Sequence, residues 1–205
     1  MKRIFVTGIS TEVGKTVVSA IITEALEADY WKPVQAGDLA DSDSHKIERL
    51  ISNDKTVIHP NSYALTQPMS PHAAAELDGI EMILEKIVEP QTDNHLVIEG
   101  AGGLLVPLNQ KDTILDLIKT EYKVVVVSRH YLGSINHSLL TIEALKRKGL
   151  DVYLVFSGDE NRFTEQIILE KTSVPVLGRV KEESGFDQPR IRYYADLFRD
   201  QLLQI

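Results

Sequence analysis

Apolar residues along this chain keep two rhythms. Short unbroken runs recur, many of them β-branched: Lys2 to Thr7, Tyr30 to Val34, Leu96-Val97-Ile98, Lys123 to Val127, Val152 to Phe156 and Val174 to Leu177. Runs of this length between polar stretches predict buried strands. Lys123 to Val127 is the clearest, apolar on both faces as a parallel strand between helical layers must be. Pro33 has no N–H to give to a ladder, so the second strand is expected to fray there.

Between these runs the spacing changes to that of helices. From Gly14 onward, Val17, Val18, Ile21, Ile22, Ala25 and Leu26 recur on one face. Further helices are predicted from about His45 to Ile51, from Ser70-Pro71, from Asp78 or Gly79 to before Pro90, and over Thr113–Lys119. Others run from Gly133-Ser134 to about Lys148, over Asn161–Lys171 and over Gln188–Leu203. Asp43 and Ser44 are candidate caps for the second helix, and Ser70 for the third, where Pro71 suits the first helical position. Asn53 to Met69 reads as loop.

Strands alternating with helices, about six of each and without repeat or linker, indicate one doubly wound α/β domain over residues 1–205. Its sheet is mostly parallel, with helices on both faces. Ligands of such folds bind at the carboxyl edge of the sheet. The loops at Gly8, Lys32, Glu99 and Ser128 all follow strands, so they converge on that edge.

Composition narrows the ligand. A formal net charge of −8 argues against a nucleic-acid or membrane-surface binder, but not against a nucleotide, which needs only a few lysines in a pocket. The absence of cysteine removes thiolate catalysis, disulfides and Cys-based metal sites. The basic Met1-Lys2-Arg3 is followed by too short an apolar run for a leader, and no window matches the ~20 apolar residues of a membrane span. A cytoplasmic protein is expected.

The chemistry begins at Gly8-Ile9-Ser10-Thr11-Glu12-Val13-Gly14-Lys15-Thr16. A strand, a glycine loop, Lys-Thr and a helix make up the phosphate-loop layout. Backbone amides and the helix start face anionic oxygen, Lys15 reaches the outer phosphates, and Thr16 can hold magnesium. Five residues stand between Gly8 and Gly14-Lys15 where the common loop has four. The longer loop presents Thr11 and Glu12 beyond the terminal phosphate.

Three charged residues join it. Lys32 is either a surface lysine at a strand end or an ammonium at the ligand edge, and spacing does not choose between them. Asp43 lies in an acidic, turn-rich stretch, either solvated or available to magnesium, which demands hard oxygen ligands. Glu99 ends an apolar run, and Gly100-Ala101-Gly102-Gly103 follows. An acid at a strand tip beside a phosphate loop suits a magnesium-side carboxylate, and the glycines would let backbone amides approach anionic oxygen.

Four segments, with Ser70-Pro71-His72, resemble the dethiobiotin synthetases of the biotin pathway, a family of phosphate-loop NTPase type. They are Val6 to Thr16, Lys32-Pro33-Val34 with Gly37 and Ser42-Asp43, Glu99 to Gly103 with Pro107-Leu108, and Leu132 to Thr141. The resemblance covers roughly the first 150 residues in order. It implies a carbon–nitrogen cyclo-ligase that closes a cyclic urea on diaminopelargonate with carbon dioxide and MgATP. A carbamate and then a carbamic-phosphoric anhydride form on the way. By the same resemblance Lys32, Lys15, Thr11 and Glu12 are catalytic, and Thr16, Asp43 and Glu99 hold Mg2+. Nucleotide contacts fall to Glu12, Val13, Gly14, Lys15, Thr16, Val17, Glu99, Gly100, Ala101, Gly102 and Ser157. The substrate meets Lys32, Ala36 and, across a homodimer interface, the helix start Gly133, Ser134, Ile135 and Asn136.

The chain departs from the family at Ala36, where a hydroxyl residue is usual. It departs also at Ser157-Gly158-Asp159 and at Gly178 to Glu182, in the base-reading segments. Arg129 and His130 add positive charge that has no role in the resemblance. The competing reading is a partition- or septum-type nucleotide switch. That class usually carries a second lysine early in the loop, where this chain has Ile9 and Ser10. A cobyrinate-type amidoligase would need a glutaminase cysteine that is absent.

Overall fold

Arg3–Gly8 (β1) lies at the centre of the main sheet in the computed structural model, which describes residues 1–205. In chain order there follow α1 (Lys15–Leu26), β2 (Asp29–Trp31), β3 (Val34–Ala36), α2 (Asp43–Leu50), β4 (Ile58–His59), β5 (Tyr63–Leu65) and α3 (Pro71–Leu77). The second half supplies β6 (Leu96–Gly103), β7 (Lys123–Arg129), α4 (Ser134–Arg147), β8 (Asp151–Ser157), α5 (Arg162–Thr172), β9 (Val176–Val180) and α6 (Gln188–Gln204). Seven strands pair in the order β4-β2-β6-β1-β7-β8-β9, all parallel. Helices α1, α2 and α6 pack together, and α4 packs on α5, β7 and β8. This is the doubly wound α/β architecture that the alternating pattern indicates.

One continuous cluster of buried side chains fills both layers, with Val124, Val125, Val126 and Val127 wholly inside. β1 sits between β6 and β7, where the chain, having run to one side for β2, returns and crosses to the other. Crevices form outside the carboxyl ends of strands at such a reversal. The phosphate loop leaves β1 at that point.

Several local expectations are corrected. The strand expected over Tyr30–Val34 divides at Lys32-Pro33: β2 stays in the main sheet, and β3 leaves to pair with β5. The carbonyl of Pro33 instead accepts from Ser62 N (2.8 Å) and Tyr63 N (3.1 Å). The stretch read as loop, Asn53 to Met69, therefore supplies two strands, each too short to show a period.

No helix starts at Asp78 or Gly79. Gly79 adopts φ 67° and ends α3, with Ile80 N bonded to Ala75 O at 2.8 Å, the glycine stop common at helix ends. Asp78 turns back to Thr66 N at 2.7 Å. Only a 3-10 turn, Leu84–Lys86, follows before Pro90. The expected helix over Thr113–Lys119 is likewise a 3-10 turn, Ile114–Leu117, closed by Thr113 and Asp116. Ser42, not Asp43 or Ser44, caps α2: its Oγ accepts from His45 N, and its N–H donates to His45 Nδ1 at 3.2 Å. Ser70 stands at the N-cap of α3 but makes no side-chain cap bond. Glu99 is not at a strand tip, because β6 runs through it to Gly103.

Candidate active site

The phosphate loop is held shut by contacts only glycine permits. A Cβ on Gly8 would lie 2.5 Å from Val13 Cγ2 and 2.8 Å from Ser10 O. Gly14 takes φ 93° at the start of α1, and a Cβ there would meet Ser157 Oγ at 3.1 Å. Val13 is buried beneath the loop, while Thr11 and Glu12 stand exposed on its rim. Glu12 is itself left-handed, at φ 54°. Ile9 N–H donates to Val127 O at 3.1 Å, anchoring the loop to β7. Lys15 curls back across the turn, its Nζ donating to Ser10 O at 3.0 Å.

Beside the loop lies a cleft of about 810 Å³. Thr11, Glu12, Gly14, Lys15, Thr16 and Val17 line it from the loop and α1. Lys32, Ala36, Glu99, Ala101, Gly102 and Ser157 line it from the other strands and their ends, and Asp43 from the start of α2. The four converging loops thus do build one cavity. Val13 and Gly100 are not in its wall. A Cβ on Gly100 would meet Phe5 and Ile114 within 3.2 Å, so that position faces the core. Gly133, Ser134, Ile135 and Asn136 are also absent from the wall of this chain's cleft. Gly133 opens α4 with φ 102°, Ser134 is buried, and Asn136 is exposed.

At the bottom of the cleft the charges interlock. Lys32 is buried, and its Nζ donates to Asp43 Oδ2 and, at 3.1 Å, to Glu99 Oε1. Thr16 Oγ1 donates to the same Glu99 oxygen at 2.9 Å. Burial lowers the pKa of Lys32, but Glu99 and Asp43 outweigh it and the net shift is upward. Burial would raise Asp43; Lys32 and Lys46 turn the net shift downward. Lys15 goes the other way. Burial dominates and lowers it to about 8, with Glu99 opposing and Lys32 adding to the fall. The two ways of reading Lys32 are thereby resolved: it is an interior ammonium at the ligand edge, paired with two carboxylates.

The donor set fits a magnesium ion shared with phosphate. Thr16, Asp43 and Glu99 offer hydroxyl and carboxylate oxygen only, and no group of three or more acidic or histidine side chains forms a self-sufficient cage. Magnesium commonly takes one or two carboxylates, water and substrate phosphate.

Lys46 escaped the sequence reading, and Arg129 and Glu182 were named there without a role; all three line the cleft, as does Gln35. Gln35 Oε1 accepts from Asp43 N at 3.3 Å, and Lys46 Nζ lies 3.3 Å from Asp43 Oδ1. Arg129 donates to the carbonyl of left-handed Glu12 at 3.3 Å and to Glu182 at 3.2 Å, bracing the loop. His130 points elsewhere, to Glu165 Oε1 at 2.8 Å, while Arg179 donates to the other oxygen, Oε2, of that carboxylate. The only sequence cue for the pair was their position directly after a buried strand.

Comparison with known proteins decides the family. An "AAA domain" model matches residues 2–190. The ATP-dependent dethiobiotin synthetase BioD of Christiangramia forsetii is 58% identical over 205 residues, covering 100% of this chain and 99% of that protein.

The chain belongs to the dethiobiotin synthetase family.

The synthetase of Cytophaga hutchinsonii is 50% identical over 198 residues, covering 95% of this chain and 96% of that one. Among solved structures, a plasmid partition protein from Borrelia burgdorferi superposes with TM-score 0.62 at 17% identity, covering 100% of this chain and 99% of that chain. A ParA family ATPase from Chlorobium tepidum gives 0.59 at 14% identity, with 100% of both covered. At such identities these two report a shared fold alone. The Christiangramia forsetii synthetase matches over the whole chain, so the likeness extends past the 150 residues whose motifs carry the resemblance. No helix is long and apolar enough to cross a membrane.

Proposed function

We propose that this chain is an ATP-dependent dethiobiotin synthetase that closes a cyclic urea on diaminopelargonate with carbon dioxide. The observation that carries the reading is Lys32, an interior ammonium fixed by Asp43 and Glu99 in the same cleft as Lys15. Joining a carbamate to a triphosphate brings anions together, and preorganised cations are the main device for doing so. Lys15 faces the phosphate side, and Lys32 the carbamate side. The Thr11 hydroxyl and the Glu12 backbone, on the rim of the loop, orient the acceptor. Nucleotide lies along Gly14, Lys15, Thr16 and Val17, with Ala101, Gly102 and Ser157 closing the wall.

Thr16, Asp43 and Glu99 would hold Mg2+, which when bound neutralises charge on the outer phosphates. Seating both amines beside the activated carbonyl supplies the proximity that ring closure needs. The substrate's distal carboxylate goes to the start of α4 in a second subunit. Two features support this. Gly133 to Asn136 stand outside the cleft of their own chain, and the neighbouring Leu132 is fully exposed. A helix start attracts a carboxylate. The active form is then a homodimer with shared sites.

The test is ADP release that requires both the diamine and bicarbonate, with dethiobiotin identified by mass. Nucleotide hydrolysis indifferent to the diamine would refute the reading. Light scattering that reports only monomer under assay conditions would refute the shared site.

A further inference from the structure

Glu99 is fully buried, and its two oxygens have different company. Oε1 accepts from Thr16 Oγ1 and Lys32 Nζ, both cleft residues. Oε2 accepts from Tyr30 OH at 2.9 Å. Tyr30 is wholly buried and is not part of the cleft wall. Strand register explains how it gets there. Tyr30 pairs with Val97, and Glu99 lies two residues on, along the same face of β6. Lys32, two residues beyond Tyr30, reaches the same carboxylate from the cleft side.

This hydroxyl is absent from every role considered so far. We propose that Tyr30 is a positioning residue that holds Glu99 Oε2 away from the cleft, so that a divalent cation meets Oε1 alone. This selects magnesium over calcium. Magnesium needs near-ideal octahedral geometry and single carboxylate oxygens, whereas calcium accepts longer bonds, higher coordination and both oxygens of one carboxylate. A carboxylate pinned at Oε2 cannot rotate to chelate. The inference rests on the reading that Glu99 holds the metal.

The experiment compares wild type, Tyr30→Phe and Glu99→Gln. The probe is the imido analogue of ATP, titrated calorimetrically with magnesium alone, calcium alone or chelator. Tyr30→Phe keeps the ring and deletes only the hydroxyl. The expected result is that it narrows the magnesium-to-calcium affinity ratio about tenfold, the scale of one hydrogen bond to a charged group. A ratio that stays at the wild-type value overturns the inference, since a residue that merely packs the core would change both affinities alike. Glu99→Gln should lose the metal-dependent part of binding. If it keeps that part, the metal reading itself is overturned, whatever Tyr30→Phe does. A measurement on the wild type needs no Tyr30 variant. The infrared carboxylate bands that vanish in Glu99→Gln should keep a monodentate splitting in calcium as in magnesium. A bidentate splitting in calcium overturns the inference.

Discussion

Nucleotide binding should draw a proton onto Lys15. Its side chain is buried, and its one partner is the Ser10 carbonyl. Burial brings its pKa from 10.5 to about 8, Glu99 opposing and Lys32 assisting. A fall of that size is worth roughly 3 kcal/mol against the ammonium. A lysine depressed in the fold binds fewer protons there than in the unfolded chain between those two pH values. Stability of the free protein therefore rises as pH goes from about 8 to about 10.5, and the penalty is fully present below pH 8. A triphosphate against Nζ reverses the shift. Lys15 at about 8 then implies uptake of roughly a tenth of a proton at pH 7, about half at pH 8 and about nine-tenths at pH 9. Phosphate itself titrates near pH 6, so the nucleotide adds no step between pH 8 and 9.

Calorimetry in buffers of different ionisation enthalpy counts the protons directly. Lys15→Arg supplies the control, because a guanidinium stays charged throughout. Wild type should show uptake that climbs from pH 7 to pH 9, and Lys15→Arg a flat profile. No uptake at pH 9, or equal uptake in the two proteins, would refute the assignment of a depressed lysine in the loop.

Other substitutions separate the parts of the site. Lys32→Gln should lower turnover by on the order of a hundredfold to a thousandfold while nucleotide affinity changes little; normal turnover removes Lys32 from the chemistry. Asn136→Asp places a charge on the exposed start of α4, where an acid does not harm the helix. It should raise KM for the diamine roughly tenfold by repelling its carboxylate, and an unchanged KM removes this helix start from the substrate site. Gly178→Ala drives a Cβ to 2.4 Å from Phe198 Cε1 on α6. It should cost about 1–3 kcal/mol, or on the order of 5 °C in melting temperature; a melt that does not move would show that this ring shifts freely.

The outline of the fold was legible because parallel strands are apolar on both faces. Lys123 to Val127 announces itself, and the loops at Gly8, Lys32, Glu99 and Ser128 could be sent to one edge from the strand pattern alone. What failed was short or competed for. β4 and β5 have two and three residues, less than a period can reveal. Asp78-Gly79 looks like a helix start, yet the same two residues make a better helix stop once Gly79 takes a positive φ. Within the site, residues fixed by covalent neighbours were found, as along the phosphate loop. Contacts that depend on strand register were not. Tyr30 reaches Glu99 only because β2 lies beside β6 in one register, and Arg129 reaches Glu12 only because β7 lies beside β1. A one-residue shift in either pairing would turn those side chains to the other face.

The origin of the second lysine separates this site from that of a nucleotide switch with the same fold. In the switch reading it lies early in the phosphate loop, where Ile9 and Ser10 stand here. In this chain it comes from just past the end of β2, two places along the sheet from β1, and two carboxylates of the same chain fix it. Leaving the pair would strand Glu99, fully buried, without its cation, and breaking such a buried pair costs about 3–5 kcal/mol. Lys32 is therefore set before any nucleotide arrives. A device that must report whether a partner has docked needs a cation that moves. A device that must bring an anionic acceptor to a triphosphate needs one that stays, and the fixed Lys32 is what its proposed role requires.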